Sequence, residues 1–320
     1  MDRHGSWARH AQRSARRRAF RRRWLFRRIG RRERSRESMS ILSIQSHVVY
    51  GHVGNRSAVF PLERLGFDVW PVNTVQFSCN TGIPGWTGSA FGADHVSDIV
   101  RGLETLGVLS RCEAVLSGYM GSVETGAAIM TAVDAAKRAN PGSIYCCDPV
   151  MGDEPEGVYV HSGIPEFIAA EALPRADIIC PNVFEAEMLS GTRISSSREA
   201  AETADILHGM GPRVVVITSY RPDNDGRMGF FVSDGTMKRT VVAPVLPFPK
   251  PPKGSGDLAS ALFLAYYLKA GNVSDAMEAT IGALYAVLEA TLASGREDLA
   301  IVAAQESIAS PTRKYKAEPV

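Results

Sequence analysis

The chain has 320 residues, 45% of them hydrophobic, and a formal net charge of +2 at pH 7. This length allows one large α/β domain or two smaller ones, and the apolar content is sufficient for a buried core. No stretch of the sequence approaches the roughly 20 consecutive apolar residues that a transmembrane helix needs, which argues against a membrane protein.

The small net charge conceals a strongly basic N-terminal segment. Residues 1–38 contain fifteen Arg and three acidic residues, a net charge of +12, so the remaining chain carries −10. With few apolar residues, the segment is predicted to be disordered by itself. Three interpretations remain open: a targeting peptide, a tail that binds nucleic acid or an anionic membrane through its Arg, Trp24 and Phe26, or a dispensable extension. We favour the third, because Met39 directly precedes the first predicted strand.

From Ser40 onward, apolar runs of strand length alternate with helical patterns. The predicted strands are Ile41–Ser46, Asp68–Asn73, Glu113–Gly118, Ser143–Pro149, Asp177–Asn182 and Arg213–Ser219. The predicted helices between them are Asn55–Leu65, His95–Leu106, Thr125–Ala139 and Ser197–Met210. Nearly continuous apolar strands separated by helices indicate a parallel sheet that is buried on both faces.

The C-terminal third has a different pattern. The run "GFFVSDGTMKRTVVA" predicts a hairpin with its turn at Asp234-Gly235. After a Pro-rich loop, two long helices are predicted at Asp257–Ala270 and Val273–Leu292. The domain is therefore predicted to extend from residue 39 to residue 320.

Polar residues follow four of the predicted strands. They are Ser46-His47, Asp148, Asn182 with Glu185, and Thr218-Ser219. In parallel α/β sheets, ligands bind at the carboxyl ends of the strands. Hydroxyls and carboxylates at four such ends favour a site for a metal and phosphates over ordinary polar capping of the strands.

The sequence "GSGD" at Gly254–Asp257 opens an apolar helix. Backbone N–H groups at a helix start lack internal partners, and glycines let an anion approach them, so this turn is a candidate anion hole. Asp257 would repel a phosphate, which favours a general base that takes a proton from an attacking hydroxyl. The alternative is that Asp257 only caps its helix.

Other motifs and the cysteines argue against several further kinds of site. "GSGDLA" fits a dinucleotide fingerprint, but it follows "PFPKPPK" and not an apolar strand, and the chain has no P-loop motif. The cysteines are odd in number, lie in or near apolar runs and have no C-x-x-C spacing; they are Cys79, Cys112, Cys146, Cys147 and Cys180. We therefore expect a reduced, cytoplasmic protein without disulfides or a zinc site.

Several motifs together resemble the pyridoxal kinase family of the ribokinase-like superfamily. They are "SIQSHVVYGHVGNRSAVFPLERLGFDVWPVNTVQFS", "CDPVMGD", "PNVFEAEMLSG", "VVITS" and "GSGDLASALFLA", in the family's order and spacing. The resemblance extends from about Ile41 to Ile308. It implies a three-layer α/β/α sandwich with a mostly parallel central sheet, and transfer of the γ-phosphoryl group of ATP to the 5′-hydroxyl of pyridoxal, pyridoxine or pyridoxamine.

The resemblance also implies roles for individual residues. Asp257 matches the family's catalytic base, and Gly254, Ser255 and Gly256 match its anion hole. The positions matching the vitamin pocket are Ser46, Val53, Thr81, Tyr119 and Asp257. Those matching the ATP side are Asp148, Asn182, Glu185, Thr218, Ser219 and Ser255. Those matching the sites for Mg²⁺ and for a monovalent cation, K⁺ or Na⁺, are Asp148, Asp153, Cys180, Glu185 and Thr218.

The resemblance further implies a homodimer with one complete site in each subunit. The chain departs from the family pattern at Asn80 and Ile83, at the run "PFPKPPK" and at Cys180, and its Arg-rich segment has no counterpart. Lys253 is expected to reach a phosphate or to lie in solvent. The alternative functions are a hydroxymethylpyrimidine kinase, or a catalytically silent relative that binds nucleic acid or acts as a scaffold.

Overall fold

A computed structural model describes residues 39–222, 226–312 and 314–320. The predictions made for residues 1–38 lie outside these ranges. The strands are β1 (Ser40–Val48), β2 (Asp68–Phe77), β3 (Gly88–Ala90), β4 (Cys112–Ser117), β5 (Ile144–Cys147), β6 (Gly152–Asp153), β7 (Gly157–Val158), β8 (Ile178–Ile179), β9 (Val214–Tyr220), β10 (Arg227–Ser233), β11 (Lys238–Pro244) and β12 (Glu318–Pro319).

Within the described ranges, ten of these strands form one sheet in the order β12-β11-β10-β9-β8-β5-β4-β1-β2-β3, and β6 pairs with β7 separately. The central strands β2, β1, β4, β5, β8 and β9 are parallel. The edge strand β3 is antiparallel, as are β10, β11 and β12 at the other edge. The prediction of a mostly parallel sheet is confirmed.

Helices cover both faces of the sheet. They are α1 (Asn55–Arg64), α2 (Ala93–Thr105), α3 (Val123–Ala139), α4 (Ile164–Phe167), α5 (Val183–Ser190), α6 (Ser197–Met210), α7 (Ser255–Ala270), α8 (Val273–Ser294) and α9 (Gln305–Ala309). One core packs α1, α7, α8 and α9 against the sheet, and the other packs α2 to α6 against its opposite face. The three-layer α/β/α prediction is therefore confirmed.

The central strands are apolar on both sides because successive side chains point to opposite faces. In β4, Ala114 and Leu116 belong to one core and Val115 to the other. The predicted hairpin is present, and the N–H of Asp234 donates to the carbonyl of Met237 across its turn (3.2 Å).

Some predicted boundaries were wrong. The strand predicted at Asp177–Asn182 is only Ile178–Ile179, although the N–H of Cys180 still donates to Cys147 across the neighbouring strand (2.9 Å). Pro181 has no N–H to continue the ladder. Helix α8 is long and apolar enough to cross a membrane, but 56% of its most apolar window is buried inside the protein, as in the core helix of a soluble protein.

Candidate active site

The predicted polar strand ends lie side by side along one edge of the sheet. The N–H of Asp148 donates to Ser117 at the end of β4, and the N–H of Thr218 donates to Pro181 after β8. These backbone bonds are 2.9 and 2.8 Å long. Parallel pairing thus brings Asp148 and Thr218 onto the same edge, as the sequence predicted. Cys180, whose N–H donates to Cys147, lies on this edge as well.

Asn182 and Glu185 form a capping box at the start of α5. The Asn182 side chain accepts from the Glu185 N–H (2.8 Å), and Oε2 of Glu185 accepts from the Asn182 N–H (2.9 Å). Oε1 of Glu185 accepts from the N–H of Met151 (2.9 Å). Glu185 is only 3% exposed, and its burial raises its pKa to about 8 even though these hydrogen bonds favour the ionised form.

Asp148 lies close to two other carboxylates. It is buried, and its Oδ2 accepts a hydrogen bond from the hydroxyl of Ser260 in α7 (2.8 Å). Burial raises the pKa of Asp148 well above its usual range, and the negative charges of Glu185 and Asp257 raise it further. Asp148 and Glu185, called the carboxylate edge below, are therefore two buried carboxyl groups whose ionised forms a cation would stabilise.

In the turn before α7, the backbone of Gly254 lies close to the backbone of His52. Gly254 has φ of +86°, and a Cβ added to it would lie 1.8 Å from the carbonyl oxygen of His52. A Cβ on Gly256 would meet open space. Only glycine fits at the first position, and the second leaves the helix start accessible, so the turn has the form that an anion hole requires.

Asp257 lies in the first turn of α7 and is partly buried. Burial raises its pKa to about 6, and the backbone N–H of Gly54 opposes this shift by interacting with the carboxylate. The N-cap residue of this helix is Gly254, which has no side chain to cap it. A carboxyl group with this pKa can exchange a proton near neutral pH, which is the property that the general-base prediction requires.

Residues predicted for the vitamin pocket lie mainly around β1 and β4. Ser46 touches Gly54 so closely that a Cβ there would be 2.4 Å from the Ser46 hydroxyl oxygen. Tyr119 follows β4 and its carbonyl accepts from Thr74 (2.8 Å). Val53 is partly buried in the turn before α1, whereas Thr81 is exposed in the loop between β2 and β3. Residues 51–54 and 254–256 are called the glycine side below.

The predicted metal ligands do not form a cage of protein groups. Among the described residues, no three His, Cys, Asp or Glu side chains lie together in a way that could hold a metal ion. The sulfur of Cys180 is buried 3.9 Å from the sulfur of Cys146, and Asp153 accepts from the N–H of Glu154 (2.9 Å). The carboxylate edge nevertheless fits Mg²⁺, because this ion is usually held by one or two carboxylates with water and substrate phosphates.

Ser219, which the family resemblance assigns to ATP binding, and Lys253 have distinct local structures. Ser219 is exposed and has φ of +56°, beside a register shift between β9 and β10. Such a conformation costs a non-glycine residue about 1–3 kcal/mol and often marks a functional position. Lys253 is exposed and forms an ion pair with Glu156 (2.9 Å), an acid that does not belong to the carboxylate edge.

Sequence reasoning missed Tyr159 and Ser260. Partial burial raises the pKa of the Tyr159 phenol, and the charges of Glu185, Asp257 and Asp148 raise it further, which places this side chain near all three acids. Ser260 reaches Asp148 because it lies about one turn after Asp257 on the same face of α7. Tyr159 lies outside every quoted motif. Ser260 lies within "GSGDLASALFLA" but was given no role there, and its helical spacing from Asp257 was the available signal.

Comparisons with known proteins agree with this geometry. Residues 101–301 match the family model described as phosphomethylpyrimidine kinase. The chain is 44% identical over 280 residues to a pyridoxal kinase PdxY of Rubrobacter xylanophilus, covering 87% of this chain and 96% of the relative. It is 43% identical over 290 residues to a pyridoxal kinase PdxY of Deinococcus radiodurans, covering 88% and 96%.

Solved structures show the same similarity. A pyridoxal kinase from Leishmania donovani in complex with ADP and pyridoxamine superimposes with a TM-score of 0.82 and 28% identity. The match covers 88% of this chain and 100% of that one. Together with the ribokinase-like layers and the strand-end carboxylates, these matches identify the chain as a member of the pyridoxal kinase family.

Proposed function

We propose that the protein transfers the γ-phosphoryl group of ATP to the 5′-hydroxyl of pyridoxal, pyridoxine or pyridoxamine, in vitamin B6 salvage. The observation that carries this proposal is the position of Asp257, a carboxylate of raised pKa between the Gly254–Gly256 turn and the carboxylate edge. The Leishmania relative was solved with ADP and pyridoxamine, a nucleotide and a vitamer of this reaction.

In the proposed mechanism, the pyridine ring of the substrate packs against Val53 and Tyr119. Ser46 forms a hydrogen bond with the ring nitrogen or with a polar group next to it. Thr81 reaches the vitamin from its exposed loop. Asp257 accepts the proton of the 5′-hydroxyl as the hydroxyl oxygen bonds to the γ-phosphorus and the bond between that phosphorus and the leaving ADP breaks. The backbone N–H groups of the Gly254–Gly256 turn, including that of Ser255, stabilise the negative charge of the transferred group.

ATP binds along the edge formed by Asp148, Asn182, Glu185, Thr218 and Ser219. Asp148 and Glu185 would hold Mg²⁺ there, with Asp153 contributing negative charge. When bound, Mg²⁺ supplies positive charge that neutralises the phosphates. Thr218, Glu185 and Cys180 would hold a monovalent cation, K⁺ or Na⁺. Because the Cys180 sulfur lies 3.9 Å from the Cys146 sulfur, Cys180 would contribute a backbone oxygen.

The test is formation of pyridoxal 5′-phosphate with ATP, Mg²⁺ and K⁺. Three proteins are compared: the full chain, a chain that begins at Met39, and the full chain with Asp257→Asn. We expect product from the first two, and a loss of about 10²- to 10⁴-fold in turnover for the third with pyridoxal binding retained. Near wild-type turnover in Asp257→Asn would remove Asp257 as the base.

A second candidate is phosphorylation of a hydroxymethylpyrimidine, because the family model that matches residues 101–301 is that of phosphomethylpyrimidine kinase. Assaying both alcohols under identical conditions separates the two functions by their kcat/KM values. A protein that turned over neither substrate would favour the scaffold alternative. Nucleic-acid binding by residues 1–38 would then be tested as a salt-dependent RNA shift that is lost in the chain beginning at Met39.

We also propose a cytoplasmic homodimer with a complete site in each subunit. The five cysteines are free thiols, which suits a reducing compartment. Sedimentation at several protein concentrations measures the oligomeric state, and a mass of one chain at all of them would contradict the dimer.

A further inference from the structure

The turn that precedes α7 rests on the segment that precedes α1. The carbonyl of His52 packs directly on Gly254, where an added Cβ would be 1.8 Å away, and the hydroxyl of Ser57 lies 2.8 Å from the same point. The N–H of Gly54 interacts with the carboxylate of Asp257. The anion hole and the proposed base therefore take their positions from the backbone of residues 52–54.

This supporting segment has little rigidity of its own. Gly51 and Gly54 have φ of +89° and +54° on either side of His52 and Val53. Two glycines so close together allow many backbone conformations. Backbone hydrogen bonds hold its start to the end of β2, the last from the N–H of Tyr50 to Ser78 (2.8 Å). At the other end, the N–H of Arg56 donates to the carbonyl of Val53 (3.1 Å) and Gly54 pairs with His47, so the part of the segment that most needs another anchor is Gly51-His52.

The side chain of His52 supplies an anchor. Among the described residues, its Nδ1 lies 3.2 Å from Oδ2 of Asp298, in the loop after α8. Both side chains are nearly buried, with 13% and 12% exposed. Arg296 donates to the same carboxylate through Nη2 (2.9 Å) and Nε (3.2 Å). A hydrogen bond to an ionised carboxylate is stronger than one between neutral groups.

The direction of this hydrogen bond follows from the charges around it. Burial lowers the pKa of His52, the charge of Arg56 lowers it further, and Asp298 opposes both. Burial opposes ionisation of Asp298, but the hydrogen bonds and charge of Arg296 outweigh it and lower the pKa of that carboxyl. The ionised Asp298 can only accept, so Nδ1 of a neutral His52 must carry the hydrogen and donate it.

We propose that the Arg296–Asp298–His52 chain is a positioning device for the phosphoryl-transfer site. It holds residues 51–54, and through them it sets the places of Gly254 and Asp257. This inference rests on the proposed function of those two residues. His52 and Asp298 are positioning residues that do not touch the substrate, and their effect reaches the reaction through the backbone of the glycine side.

The kinetic test uses the full chain with His52→Ala, Asp298→Ala and both changes together. A displacement of about 1 Å at a reacting group costs up to about 10²-fold, so we expect each single variant to lose about 10- to 100-fold in kcat/KM for pyridoxal. Each single variant already breaks the hydrogen bond between His52 and Asp298. The double variant should therefore lose no more kcat/KM than the worse single variant. The KM for ATP should change little.

Matched controls separate positioning from general instability. Glu278→Ala removes another nearly buried carboxylate (14% exposed) that is bound by a cation, Lys316 (3.1 Å), in the first half of α8. It should keep wild-type kcat/KM. Asp298→Asn keeps an acceptor for His52 and should recover part of the loss in Asp298→Ala. Additive losses in the double variant, or wild-type kcat/KM in Asp298→Ala, would overturn the proposal.

Hydrogen–deuterium exchange tests the anchor without relying on turnover. In Asp298→Ala, amides of residues 51–57 and 254–258 should exchange at least about 10-fold faster, while those of β4 and β5 should be unchanged. Unchanged exchange in both segments would overturn the inference whatever the activity. Absence of product from the wild type would refute the proposed function instead, and exchange would still decide whether the anchor exists.

Discussion

At the carboxylate edge the charges of Asp148 and Glu185 are buried and held by backbone N–H groups and a serine hydroxyl, whereas on the glycine side two stretches of backbone approach each other with almost no side chain between them. The first side is sensitive to charge and to the direction of hydrogen bonds. The second is sensitive to volume. Substitutions that change one property at a time should therefore affect the two sides differently.

The largest expected effect is that of added volume on the glycine side. Gly254→Ala places a methyl group 1.8 Å from the His52 carbonyl and must displace the turn. Removing a donor from such an anion site typically costs about 10²- to 10³-fold in kcat, and we expect a loss of this size.

The control for this variant is Gly66→Ala. Gly66 also has a positive φ, +88°, but no atom lies within 4 Å of the methyl group that the substitution adds. It should cost about 1–2 kcal/mol of stability through its backbone conformation, with kcat unchanged. Equal kcat values in the two variants would show that the contact with His52 has no catalytic importance.

At the carboxylate edge, removing charge from Asp148 should reduce activity and increase stability. An Asn side chain can still accept from Ser260 and no longer repels Glu185 and Asp257. We expect turnover to fall about 10- to 100-fold. Without Mg²⁺ at pH 8, the free energy of unfolding should rise by about 1 kcal/mol or more.

The sign of this effect can be checked by pH. Burial raises the folded-state pKa of Asp148, so ionisation destabilises the fold above the unfolded value of about 3.9, and the penalty grows as pH rises toward the folded value. The stability gain of Asp148→Asn should therefore be absent near a pH of about 3.5. Denaturant titrations at both pH values measure it, and a gain that did not depend on pH would contradict the repulsion.

Glu185→Gln should behave in the opposite way. Both oxygens of Glu185 accept from backbone N–H groups, those of Met151 and Asn182, and one of them would face the amide NH₂ of Gln. A buried donor without an acceptor costs about 1–3 kcal/mol, so stability should fall although a buried charge is removed. The Mg²⁺ concentration needed for half-maximal rate should rise. An unchanged Mg²⁺ titration would exclude Glu185 from the metal site.

The smallest effect is expected at Asp234, a carboxylate outside both sides of the site. Burial opposes its ionisation, but hydrogen bonds from Thr236 and Met237 outweigh this and lower its pKa. Its stabilising contribution is present above the unfolded pKa of about 3.9 and is lost as pH falls through the lower folded value. Asp234→Ala should cost about 1 kcal/mol at pH 7, measured by thermal unfolding, with kcat unchanged.

The sequence predicted those features that depend on local pattern and strand order. The ends of parallel strands must meet at one edge, which is why Asp148, Glu185 and Thr218 could be grouped without coordinates. The start of α7 could be located because glycines and Asp257 precede an apolar helix.

Other features depend on contacts between distant parts of the chain. Tyr159 reaches the acids only because the short pair β6 and β7 folds back over the carboxylate edge, and four residues of strand have too little pattern to be recognised. The position of Asp298 beside His52, 246 residues away, has no local signal. The side chain of Cys180 points into the core because of strand alternation, which a family match does not reveal.

The strand order also has a consequence for synthesis of the protein. Strand β1 lies inside the sheet, β2 and β3 are added on one side of it, and β4, β5 and β8 to β12 are added in chain order on the other. No described strand has to enter between two that are already paired. A nascent chain can therefore extend the sheet outward as it leaves the ribosome, and the growing edge becomes the two-residue strand β12 once residues 318–319 pair with β11.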